Sequence, residues 1–166
     1  MNTTPLPTWI TESGFAPFGT LVRHTGQPER HYLDMAFEDI APQVRPRLWI
    51  NSLNAAPQKI TFAQIERHPF SPQSFLPLSA AVLLMAACPS KADGTPDTGK
   101  LRAFLLPPGT GIIYKRGVWH HGLLSPHGTC NVAVLMGQGD DQRDTEEYTL
   151  PTPLYFDRDT LPHSQP

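Results

Sequence analysis

Histidines carry the first chemical signal in this 166-residue chain. There are seven, at positions 24, 31, 68, 120, 121, 127 and 163. Imidazole is the commonest side-chain metal ligand and the natural proton carrier near neutral pH. His163 lies in the tail and His127 in a Ser-Pro-His-Gly turn, so both read as solvated. His24 and His31 sit in polar stretches and read as surface positions. His68 and the adjacent pair His120-His121 differ. On a strand, neighbouring side chains point to opposite faces, so only His120 or His121 can face an interior. Glu66 and His68 are two apart and share one face of a strand. Two ligands on one strand can be joined by others from further strands to close a metal cage in the mouth of a small barrel. No Ser/His/Asp or Cys/His arrangement for a covalent nucleophile stands out. The acidic run Asp140 to Glu147 has no regular ligand spacing and reads as a solvated loop.

The elements that must position these residues are short strands. Nineteen prolines and twelve glycines break helices and central strands and favour tight corners. Strand-like runs fall at 17–24, 48–54, 61–68, 75–78, 81–88, 101–106, 112–116, 118–124 and 131–136. The run 81–88 is continuously apolar, as expected of a strand covered on both faces. Residues 89–99 read as a surface loop, and the last sixteen residues, with four prolines, as a wrapping or fraying tail. Apolar residues make up 39% of the chain, enough for one core. A formal charge of −2 gives no drive towards phosphate backbones, so a dedicated nucleic-acid protein is not expected. No apolar run has the length of a membrane helix. Nor does the N-terminus resemble a secretory signal. Cys88 and Cys130 read as buried free thiols of a reducing cytoplasm. The expectation is one all-β domain over residues 1–166.

Two strings sharpen this. Gly109-x5-Lys115-x-Gly117-x2-His120 has the spacing of the second cupin motif, with Lys115 in place of its proline. Glu66-x-His68-x4-Gln73 has the spacing of the first, with Glu66 for a histidine and Gln73 for the glutamate. Longer segments resemble the ureidoglycolate lyase family: Glu66-Arg-His-Pro through Leu78, Leu101-Arg-Ala-Phe-Leu, and Gly111-Ile-Ile-Tyr-Lys-Arg-Gly-Val-Trp-His-His, in that order. Phe15-Ala-Pro-Phe-Gly resembles that family's N-terminal strand. The chain departs from the family at Lys115, Asn54 and Gln138.

The resemblance implies a cupin-like jelly-roll β-barrel with few short helices, a cytoplasmic location and a homodimer. It implies release of urea and glyoxylate from (S)-ureidoglycolate in allantoin breakdown, with a divalent metal, nickel or manganese, and no organic cofactor. Cleaving that carbinolamine requires a proton off the hydroxyl, a proton onto the leaving nitrogen, and a hold on the carboxylate. Glu66, His68, Gln73 and His120 are the metal candidates. His120, Tyr114 and Lys115 are the acid/base candidates, and Arg102 and Arg116 are the carboxylate partners, since a guanidinium fork fits a carboxylate. Two alternatives are another cupin enzyme acting on a small hydroxy or keto acid, and a non-catalytic barrel that binds a small ligand.

Overall fold

The computed structural model describes residues 6–24, 26–33, 37–139 and 144–165. Eleven strands form two sheets. They are β1 (Thr8–Trp9), β2 (Gly19–Val22), β3 (Arg45–Leu53), β4 (Lys59–Arg67), β5 (Gln73–Pro77), β6 (Leu83–Cys88), β7 (Arg102–Leu106), β8 (Gly111–Tyr114), β9 (Trp119–Leu124), β10 (Cys130–Gln138) and β11 (Glu146–Asp157). One sheet runs β1-β7-β6-β9-β4-β11 and the other β2-β8-β5-β10-β3. The one described α-helix, α1 (Glu12–Phe15), is a single turn capped by the Thr11 hydroxyl.

The space between the sheets is filled on one side only. Around β1, β2, β7 and β8 it holds Phe15, Phe18, Phe104, Ile112 and Tyr114, all buried, with Leu83 and Met85 of β6. Tilted and edge-to-face ring contacts at 5.7–6.0 Å join Phe15 to Phe18, Phe104 and Tyr114. The alternate residues of β6 and β7, Leu84, Ala86, Ala103 and Leu105, pack with Ile60, Phe62, Leu154 and Phe156 in a second core on the other face. Strand β6 is therefore buried on both sides, as its unbroken apolar run predicts.

The sequence reading needs correction at both ends. Phe15 to Phe18 are not strand: Phe15 closes α1, and a turn leads into β2 at Gly19. The segment read as acidic loop and tail contains β11, twelve residues with Pro151 and Pro153 inside it. β11 lies at a sheet edge, and its register with β4 slips between Thr149 and Leu154. The prolines fall in that slip, where no ladder bond is demanded of them. Residues 140–143 of the acidic run lie outside the described residues.

Among the described residues no helix is long and apolar enough to cross a membrane. Cys88 and Cys130 are buried and free, and burial, followed by the Asp97 charge, pushes the Cys88 thiol up to about 12.

Candidate functional site

On the side of β3, β4, β9 and β10 the sheets part around polar side chains. Glu66 of β4 pairs directly with His120 of β9, so both project inward together. His68 follows one residue beyond β4. Gln73 opens β5 and sits opposite both Tyr114 of β8 and Met136 of β10. Gly117 adopts a positive φ of 74° in the turn between β8 and β9, and its N–H donates to the His68 carbonyl at 3.0 Å. That bond joins the segment holding His68 to the segment holding His120.

Glu66, His68 and His120 each present one ligand atom within 4.8 Å of the others. Glu66 Oε1 lies 3.9 Å from His68 Nε2 and 3.8 Å from His120 Nε2. Both imidazoles are held from behind by main chain. Nδ1–H of His120 donates to the Val118 carbonyl at 3.0 Å, and Nδ1–H of His68 donates to the Asp144 carbonyl at 3.0 Å. A proton fixed on Nδ1 leaves Nε2 as a lone pair, the arrangement by which outer partners orient metal-ligating histidines. His68 Nε2 is buried and has no hydrogen-bond partner. The Gln73 side-chain Oε1 lies 2.9 Å from His120 Nε2. With the His120 proton on Nδ1, that contact becomes a hydrogen bond once the amide turns its NH2 to the lone pair. The Tyr114 ring stacks on His120 at 4.1 Å and 17°. Burial, reinforced by the neighbouring His68, holds the His120 pKa down to about 3, so the ring is neutral at physiological pH. A buried imidazole nitrogen with no partner, beside a carboxyl group and the neutral His120 ring, fits a divalent cation.

Two cavities meet at Glu66. The inner one, about 260 Å³, is lined by Trp49, Asn51, Glu66, His68, Gln138 and Thr145 among others. The outer one, about 180 Å³, is lined by Gln64, Ile65, Glu66, His120, His121, Gly122 and Glu147. Among the described residues that line them, neither cavity has a lysine or arginine.

The structure thus gathers Glu66, His68, Gln73 and His120, with Tyr114 beneath. Tyr114 faces the aromatic core, its hydroxyl is buried without a partner, and burial raises its pKa well above the ordinary value. Lys115, Arg102 and Arg116 are held elsewhere. Lys115 Nζ donates to the Ala16 carbonyl at 2.7 Å. Arg102 donates to Gly14 O and lies over the Phe104 ring. Arg116 bonds Pro69 O and pairs with Asp39 at 2.9 Å. His121 points to the opposite face and stacks on Phe62 at 3.9 Å, as strand alternation predicts. Trp119 is buried beneath the Arg67 guanidinium.

Sequence reasoning missed Asn51, Thr145 and Asp144. The Asp144 contribution is a main-chain carbonyl, which no residue type announces. Arg47 lies exposed near the start of β3, outside both cavities. Register pairs Met136 with both Gln73 and Arg47, on the same face as Trp49 and Asn51, which alternation along β3 would have indicated.

The profile of the ureidoglycolate lyase family matches residues 4–157. The chain belongs to the ureidoglycolate lyase family. A ureidoglycolate lyase of Rhodobacter capsulatus is 32% identical over 153 residues, spanning 87% of this chain and 92% of that protein. One of Burkholderia mallei is 30% identical over 162 residues, spanning 92% of each. Among solved structures, a dTDP sugar isomerase of Desulfovibrio desulfuricans superposes with a TM-score of 0.51 at 15% identity, over 81% of this chain and 84% of that one. That likeness shows the fold, a cupin-like β-barrel, as the family resemblance implies.

Proposed function

We propose that this family member is a ureidoglycolate lyase that releases urea and glyoxylate from (S)-ureidoglycolate, acting as one domain in the cytoplasm. The observation that carries the reading is the pair of buried imidazoles, each with Nδ1 tied to main chain and Nε2 turned to Glu66. Family membership supplies the substrate. Glu66, His68 and His120, with Gln73 adjacent, would hold a divalent ion, nickel or manganese. Such an ion supplies Lewis-acid charge that lowers the pKa of the substrate hydroxyl.

The chain's own groups do the rest. A pKa near 3 makes His120 a lone-pair donor and a poor store for a proton. Glu66 reaches both cavities and turns Oε1 to the imidazoles. Its second oxygen accepts the hydroxyl proton and returns it to the urea nitrogen. The C–O bond becomes the aldehyde carbonyl, the C–N bond breaks, and its electron pair stays with nitrogen. Arg47, at the rim of β3, pairs with the carboxylate; Asn51, Gln138 and Thr145 give hydrogen bonds along the wall. Tyr114 positions the His120 ring by stacking.

The homodimer is supported by the outer face of β3. Leu48 and Ile50 are 68% and 63% exposed there, beside Leu135 of β10 in register with Leu48.

A coupled assay for glyoxylate and urea, with and without added Ni²⁺ or Mn²⁺, tests the reading. Turnover is expected with at least one ion. Folded protein that turns over in neither condition would overturn it.

A further inference from the structure

The outer cavity exists because three irregularities coincide. β4 and β9 share one residue pair, Glu66 with His120. β9 bulges against β6 between the pairs Leu84–Leu124 and Ala86–His121, which places Gly122 and Leu123 opposite one residue. β11 slips against β4 between Thr149 and Leu154. Glu66 itself is paired on both sides, with His120 and Glu147, but Gln64 has no partner on β9 and Gly122 falls in the bulge, so the sheet has a slot there where an unbroken one would be closed. Bulges of this kind recur next to active sites. A Cβ on Gly122 would meet nothing within 4 Å, so the slot is open at the glycine.

The lining chooses among ligands. Glu66 and Glu147 are carboxylates that accept hydrogen bonds only. His121 donates from Nδ1 to the Gly122 carbonyl at 2.8 Å, so Nε2 is left as an acceptor. Gln64 supplies one side-chain NH2 and one carbonyl. Such a wall suits a small neutral molecule rich in N–H with a single carbonyl. It repels carboxylates, and its volume of about 180 Å³ has room for a molecule of urea's size.

We propose that the slot is a separate subsite and exit for the neutral amide half of the substrate, with Gln64, Glu147, His121 and Gly122 as its wall. The inference rests on the lyase reading. On it, the two products leave the Glu66 carboxylate in opposite directions: the anion through the inner cavity towards β3, the neutral amide outwards between β4 and β9.

The test is binding, read separately from turnover. Full-length protein labelled with ¹⁵N is titrated with urea, with glyoxylate and with guanidinium while the amide signals are followed. Urea is expected to shift the His121 main-chain amide and the Gln64 side-chain amide, which line the outer cavity alone, saturating well below unfolding concentrations. Glyoxylate is expected to shift Asn51 and Gln138 instead. Gln64→Leu should weaken urea about tenfold, one hydrogen bond's worth, and leave the glyoxylate response intact. Urea that shifts Asn51 and Gln138 as strongly as Gln64, or shifts nothing, overturns the proposal. So does guanidinium binding in the slot where urea does not. Urea in the slot of a protein that fails the coupled assay would sink the lyase reading and leave the subsite standing.

Discussion

The two sides of the barrel interior are built from the same two sheets and do opposite things. Towards β1, β2 and β7, aromatic rings fill the space between the sheets. Towards β3 and β4, the same sheets separate around Glu66, His68 and His120. The seam is a single stack, Tyr114 against His120. One side of the seam supplies stability, and the other spends some of it to keep lone pairs facing a cavity. Close packing on the first side fixes the strands so that a loosely filled second side keeps its shape.

If that division holds, the largest effect on chemistry comes from His120→Ala. It should lower kcat/KM about 10²–10⁴-fold, the range for a group engaged at the reacting centre, with the β-rich circular dichroism retained. An active variant would break the division at its centre. Phe104→Ala is the mirror experiment. It should cost about 3–5 kcal/mol of unfolding free energy and leave KM little changed where the variant is still folded.

Arg47→Ala comes next. Loss of a charge-assisted contact to a carboxylate should raise KM about 10–100-fold with kcat little changed.

The seam also predicts a pH dependence. Burial depresses His120 in the fold, so the unfolded chain binds more protons than the folded one between about pH 6.5 and pH 3. Stability is therefore full above pH 6.5 and falls as pH drops through that window, at up to about 1.4 kcal/mol per pH unit. His121, depressed chiefly by burial as well, adds in the same direction. Melting curves between pH 7 and 4 should show the loss, and His120→Phe, which keeps a ring against Tyr114, should flatten it. Arg102→Ala should do least: under about 1 kcal/mol in stability and no change in turnover, because its guanidinium covers Phe104 away from the cavity.

Much of the packed side was legible in the sequence. The run 81–88 is apolar because both faces of β6 are covered, and the alternation at 119–121 sends Trp119 and His121 one way and His120 the other. Glu66 and His68 could be paired by spacing and joined to Gln73 and His120 by resemblance. The cavity was less legible. Lys115 and Arg116 lie next to Tyr114 in sequence, but the turn after β8 carries both to the outside. Conversely, Asn51 and Thr145 arrive from strands or loops far away in the chain, and only the fold brings them together. β11 was hidden because its prolines signal a break, and an edge strand with a register slip tolerates them.

The hold on His68 and His120 is by peptide carbonyls, those of Asp144 and Val118. Replacing either residue's side chain leaves its carbonyl in place. The proton on each Nδ1 is thus fixed independently of the side chains at positions 118 and 144, while the wall formed by β3 and β10 can change one residue at a time. A barrel organised this way can try new substrates without rebuilding its reactive centre.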